Sequence, residues 1–284
     1  MSQILYIDKP KGITSFDICY KLRKVFNTKK IGHTGTLDPN ATGLMVCLIG
    51  SATKANQFLV SAKKEYIATV KIGIKTDSDD IDGNILLEKE ETMPDFNTIN
   101  DVLKTFLGKS KQVPPMTSAI KVNGKKLYEY QRKGIEVKVE PRDIEVYDIE
   151  LLDAKDDTFT FRAYVSSGTY IRSLASDVLS KLNIIGTLSD LRRTKIDDID
   201  ISDSDTLDDV LNGNYHVHSM FEVLSKYYYV YNVTDKKYIM DGKPLKLDLK
   251  EEMILCAYNN EALAIYKYED GLYRCLRGLL WLIN

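Results

Sequence analysis

"KIGHTGTLDP", residues Lys30 to Pro39, holds two glycines, two threonines, one of the chain's three histidines, and an Asp set between Leu37 and Pro39. Neither a regular helix nor a regular strand is built from that composition, because Gly and Asp-Pro punctuate a chain. Outward from the loop the pattern becomes regular. "GLMVCLIG", residues 43–50, is a continuous apolar run of the kind that forms a buried strand. Upstream, "ILYID" at 4–8 reads as a short strand and "KPKGITS" at 9–15 as a turn. From Ser15 the spacing of Phe16, Cys19, Leu22, Val25 and Phe26 predicts a helix, with Ser15 as its N-cap. Asp38 then has two readings: a turn former before Pro39, or a carboxylate that does chemistry.

Further along, Tyr66, Ala68, Val70, Ile72 and Ile74 alternate as one strand face. "TDSDDIDGNI" is an acidic turn. Ile99, Val102, Leu103, Phe106 and Leu107 give an amphipathic helix closed by Gly108. Residues 109–142, with Pro114-Pro115 and many lysines, lack periodicity and read as a long loop or insertion. "TFTFRAYV" alternates again, and Ile171, Leu174, Ala175, Val178 and Leu182 form another helix face that leaves Arg172 off the stripe. "GTLSDLRRTKI" returns to the sheet and residues 194–222 form an acidic connector. After Lys226, four short strand-like runs separated by turns predict a small all-β domain. The expected class is α+β with a β appendage.

The chain has 284 residues and a formal net charge of −2, with 28% charged and 44% hydrophobic residues, which is ordinary globular composition. The near-zero charge hides segregation. Residues 1–66 carry ten basic against four acidic residues, and residues 102–142 carry ten against three. Residues 77–101 carry one against nine, and residues 194–222 one against eight. Basic blocks brought to one face suit a phosphate backbone; dispersed, they are solvated surface.

Cys19, Cys47, Cys256 and Cys275 form no C-x-x-C pair, and with His33, His216 and His218 they give no zinc-ligand spacing. No metal and no cofactor is expected. The start "MSQILYIDKP" is not a signal peptide, and no stretch reaches the roughly 18 apolar residues of a membrane span. A cytoplasmic protein is therefore expected. A phosphate-cradling G-x-x-x-x-G-K-[ST] is absent, as are G-x-S-x-G and H-E-x-x-H. Carboxylate chemistry remains.

"GHTGTLDPNATGLM" at 32–45 resembles the signature of the bacterial tRNA pseudouridine synthases of the TruB family, which modify uridine 55 in the T loop. "DKPKGITSFD" at 8–17 resembles that family's N-terminal motif, and "KKEYIATVKIGIKTDSDDIDG" at 63–83 its tyrosine strand. "QVPPMTSAIKVNGKKLYEYQRKGIEV" at 112–137 resembles its RNA-gripping insertion, and "SSGTYIRSLASDVL" with "LRRT" its arginine motif. Five ordered blocks spanning residues 8–194 carry the resemblance.

The resemblance implies a pseudouridine synthase fold with a large mixed sheet and a central cleft. The catalytic domain would span residues 1–222, with the RNA-binding insertion at about 109–142, and a small PUA-like domain would span 226–284. Asp38 would be the nucleophile; attack at C1′, attack at C6 and assistance to a glycal all remain open. Arg172 would hold the carboxylate ionised. Tyr66 would lie beside the base, Tyr170 and Leu191 would wall the pocket, and His33 would fill the space that a flipped base leaves. Lys9, Lys11, Lys63, Lys64, Lys121, Arg132, Arg142 and Arg193 would contact phosphates. The expected partner is the T arm of tRNA, with no protein partner required, no membrane, and a monomeric chain.

Gln131 departs from the small residue usual before the arginine of "QRKG", and the C-terminal region matches more weakly. Three rival readings stand beside the first: an RNA-remodelling protein, a synthase for another RNA, and a glycosidase. The last needs two working carboxylates, where the motifs supply Asp38 alone.

Overall fold

A computed structural model describes residues 1–59, 62–118, 120–131, 133–135 and 137–280. The chain forms two compact units. One comprises Met1–Pro39, Met45–Val60 and Ser202–Asn284; the other comprises Asn40–Leu44 and Ser61–Ile201.

In chain order, β1 (Ser2–Lys9) leads to α1 (Ser15–Val25), β2 (Ile31–His33) and β3 (Thr42–Gly50). A 3-10 turn at Ser51–Ala55 and the short α2 (Asn56–Leu59) follow. Then come β4 (Lys64–Ile72), β5 (Ile74–Thr76), β6 (Ile85–Glu88), α3 (Phe96–Lys104) and β7 (Gly108–Gln112). The insertion holds β8 (Lys121–Val122), β9 (Lys125–Lys126) and α4 (Leu127–Gln131). β10 (Arg142–Lys155), β11 (Thr158–Val165), α5 (Ile171–Leu182), β12 (Gly186–Ile196) and β13 (Ile199–Asp200) come next. β14 (Asp205–Thr206), α6 (Leu207–Leu211), α7 (Met220–Leu224), β15 (Tyr229–Asn232) and α8 (Lys236–Met240) precede β16 (Met253–Tyr258), β17 (Glu261–Glu269) and β18 (Leu272–Gly278).

The large mixed sheet runs β14-β1-β3-β12-β4-β11-β10-β7, with β2 on β3 and β13 on β12. Its β12-β4-β11-β10-β7 stretch is antiparallel throughout. Alternation in β4 and β11 buries every second residue. β3 is buried along nearly its whole length, as an apolar run demands. The C-terminal sheet is ordered β15-β16-β17-β18, around a core that includes Ile254, Leu263, Tyr266 and Tyr273. Among the described residues no helix is long and apolar enough to cross a membrane.

Several expectations are corrected. The N-cap of α1 is Thr14, which forms a capping box with Asp17. Ser15 turns inward instead, and Ser15, Ile18, Cys19 and Leu22 form the buried stripe. Phe16, one position round the helix, is left 61% exposed. β4 ends at Ile72 because Gly73 takes φ +87°, so Ile74 opens β5. Gly108 does not close α3, which stops at Lys104; it starts β7, paired with the beginning of β10. Part of the expected 109–142 loop is thus an edge strand. The acidic connector adds a strand, with Ile7 opposite Asp205 in parallel register.

Gly43 marks the tightest backbone approach. It sits at φ +107°, and a Cβ there would lie 2.7 Å from the Arg193 amide nitrogen, with the Arg193 carbonyl oxygen closer still. Thr42 and Gly43 pair with Arg192 and Arg193 in parallel register, so neither side can retreat. Gly43→Ala is expected to cost about 2–4 kcal/mol, measured by urea unfolding monitored by circular dichroism.

Candidate active site

The loop that carries Asp38 is anchored to both of its neighbours. Leu37 donates its amide to Ser15 Oγ at 2.8 Å, and the same hydroxyl donates to the Leu37 carbonyl at 3.0 Å. Both partners are buried, so one side chain satisfies two backbone groups beyond the reach of water. On the other flank the Pro39 carbonyl accepts from Lys9 Nζ at 2.9 Å and from the Gly12 amide at 2.9 Å. Gly12, at φ +86°, allows the Lys9–Gly12 turn to present that amide. Asp38 is half-buried between these anchors. His33 ends β2, opposite Cys47 of β3, so the loop departs from a fixed strand.

The second unit carries the other motif residues. Tyr66 is buried on β4, directly opposite Ala163 on one side and Arg193 on the other. Leu191 of β12 is opposite Ala68, which puts Leu191 and Tyr66 on one sheet face as diagonal neighbours. Tyr170 is the half-buried N-cap of α5, with no side-chain cap of its own. Gln112 of β7 instead holds the backbone of the N-cap residue: it accepts from the Tyr170 amide at 2.8 Å and donates to the Tyr170 carbonyl at 3.0 Å.

Arg172 follows in the first turn of α5 and is only 4% exposed. It donates to the Ser78 carbonyl at 3.1 Å and to Thr117 Oγ1, and lies 3.6 Å from Asp80. The acidic turn therefore supplies acceptors to a buried cation. Burial pushes the Asp79 carboxyl upward against the hydrogen bond from Ser176 and the field of Arg172, which lower it. The anchoring roles of Ser15, Gln112, Thr117 and Asp80 are not legible in the sequence. All four lie inside the motif blocks, but their residue types carry no positional signal of their own.

The basic residues divide. Lys11, Lys63, Lys121 and Arg142 are exposed. Lys9 is fully buried, with its ammonium on the Pro10 and Pro39 carbonyls, which corrects its reading as a phosphate contact. Arg193, 1% exposed, donates Nε to the Leu44 carbonyl at 2.6 Å and is likewise internal. Lys64 is buried on the Ala62 carbonyl at 2.6 Å. Arg132 lies outside the described residues.

The family model for the N-terminal domain of TruB family pseudouridylate synthases matches residues 23–171. A relative named tRNA pseudouridine synthase B from Oenococcus oeni is 38% identical, covering 98% of this chain and 97% of its own. One of the same name from Bacillus cytotoxicus is also 38% identical, over 100% and 98% of the two chains. The chain belongs to the TruB family of pseudouridylate synthases. A crystal structure of a Cbf5-Nop10-Gar1 complex is similar in fold, with a TM-score of 0.74 and 22% identity over 98% of this chain and 85% of the other. The fold is that of the pseudouridine synthases.

Two outcomes follow from the anchors and the buried lysine. Ser15→Ala leaves two buried backbone groups of Leu37 unpaired and is expected to lower unfolding free energy by about 1–3 kcal/mol, read by chemical denaturation. Desolvation, then the field of Arg193, lowers the Lys64 ammonium from its ordinary 10.5 to about 8, with Asp197 opposing. Between those values the unfolded chain binds more protons than the folded one, so this group's contribution to stability rises as pH rises from about 8 to 10.5. Lys64→Met is expected to remove roughly 1–3 kcal/mol of that rise, seen by comparing denaturation curves of the two proteins at both ends of the window.

Proposed function

We propose that this chain isomerises uridine to pseudouridine in tRNA, at position 55 of the T loop, without a cofactor. The observation that carries the reading is the anchoring of Asp38: a carboxylate in an irregular loop whose two flanking residues are held by buried side chains. Rigid placement of a nucleophile is what covalent catalysis requires, and relatives that align along almost the whole chain are named tRNA pseudouridine synthase B.

In this reading the uridine C1′–N1 bond breaks and a C1′–C5 bond forms. N1 gains a proton, and C5 gives one up. Asp38 assists the departure of the base and then releases it for reattachment. Arg172 is the charge partner of that carboxylate, as the motif positions imply. Tyr66 lies beside the base and takes part in removing the C5 proton, while Tyr170 and Leu191 bound the pocket. Extruding a stacked base costs a few kcal/mol, and His33 offsets part of that by occupying the vacated space. Exposed Lys11, Lys63, Lys121 and Arg142 contact phosphates. Residues 1–222 serve as the catalytic domain, with 226–284 as a PUA-like RNA-binding appendage.

Asp38→Asn keeps the size of the side chain and removes its charge. Pseudouridine formation in an unmodified T-arm hairpin is expected to fall by about a thousandfold or more, with hairpin affinity unchanged. Equal rates in the two proteins would refute the assignment of Asp38 as the nucleophile. Activity on other RNAs, with none on the hairpin, would move the substrate elsewhere.

A further inference from the structure

The outer face of α1 has no role in the core or in the site just described. The helix buries Ser15, Ile18, Cys19 and Leu22. On the opposite side Phe16 and Tyr20, one turn apart, are 61% and 52% exposed. Each ring carries a cation: the Arg23 guanidinium lies 5.4 Å from the Phe16 centroid, and Lys24 Nζ lies 5.5 Å from that of Tyr20. The one acid of the helix, Asp17, is engaged at its N-terminus, where it accepts from the Thr14 amide at 2.8 Å and the Thr14 hydroxyl at 2.6 Å. Positions 16, 20, 23 and 24 thus make a stripe of two exposed aromatic rings and two cations.

We propose that this face is an accessory RNA-binding surface, on which unpaired bases stack against Phe16 and Tyr20 while Arg23 and Lys24 meet phosphates. The proposal rests on the reading of this chain as an RNA-modifying enzyme. Charge decides the class of partner. An apolar protein surface covering these rings would desolvate two cations while the helix's one acid, Asp17, is engaged by Thr14, which is costly. A nucleic-acid strand brings phosphates to the cations and base faces to the rings, the combination found in single-strand binding grooves. Cation and ring are already paired, so the surface is arranged before RNA arrives.

The test uses the full chain and an unmodified tRNA transcript. Phe16→Ala/Tyr20→Ala is expected to raise Kd about tenfold, the scale of losing one stacked base. Arg23→Gln/Lys24→Gln is expected to make the salt dependence shallower by about 1.4–1.8 in the slope of log K against log salt. Tyr20→Trp is expected to give an indole signal quenched on binding RNA. All these positions are exposed or half-exposed, and matching thermal melts verify that the fold is kept; the polar Gln variant preserves the test where the alanine variant does not fold. Wild-type affinity and slope in both double variants, with an unquenched indole, would overturn the proposal and leave the patch to a protein partner. Pseudouridine formation by the wild type is assayed in the same transcript. Its absence, with binding still sensitive to these variants, would sink the functional reading and leave the surface standing.

Discussion

The hydroxyl of Ser15 and the ammonium of Lys9 hold a segment that has no ladder to hold it. "GTLDP" offers the backbone neither helical nor strand pairing, so its order has to come from outside. Ser15 takes both polar groups of Leu37, and Lys9 with the Gly12 amide takes the carbonyl of Pro39. Burying an ammonium without acceptors would cost several kcal/mol. The Pro10 and Pro39 carbonyls converge on the Lys9 ammonium and supply acceptors where water does not reach. The two motifs at 8–17 and 32–45 are therefore one structural device, and the placement of Asp38 is its product.

The same solution recurs in the second unit. α5 starts without a side-chain cap at Tyr170, and the Tyr170 backbone is held by Gln112, whose amide group accepts and donates at once. Two residues on, Arg172 gathers the Ser78 carbonyl, Thr117 and Asp80. Ser173 adds a bond to the Val113 carbonyl at 3.2 Å. The first turn of α5 is thus tied to the start of the insertion and to the acidic turn by buried polar groups. Such networks demand one arrangement, because a half-satisfied one is worse than an apolar contact.

What the sequence disclosed follows from this division. β4 and β11 were legible because one face is buried and the other is not, which writes a period of two into the residues. β7 was not: "GKSKQ" is an edge strand whose lysines protect an open edge, and it carries no apolar alternation. The two residues of β14 are too short for any pattern. On α1 the apolar spacing starts at Phe16 while the inward stripe starts at Ser15, because a buried serine is invisible to a hydrophobic count. Asp38, Tyr66 and Arg172 stand at marked positions of the motif blocks, whereas Gln112 and Ser15 act on backbone that only the folded chain brings near.

The charges show most clearly why a site exceeds its sequence. A lysine or arginine is read as surface by default, and a basic block as a phosphate grip. Here Lys9, Lys64 and Arg193 are internal, each with a backbone carbonyl as acceptor. Conversely, the most acidic segment of the chain gives up part of its field to buried Arg172. The surface potential that RNA would meet is then set by the cations that stay outside, among them Lys11, Lys63, Lys121 and Arg142, and on α1 Lys24. A formal count cannot separate these two populations, since both contribute equally to it. Burial separates them, because a cation inside reports where carbonyls converge and a cation outside reports what the surface can attract.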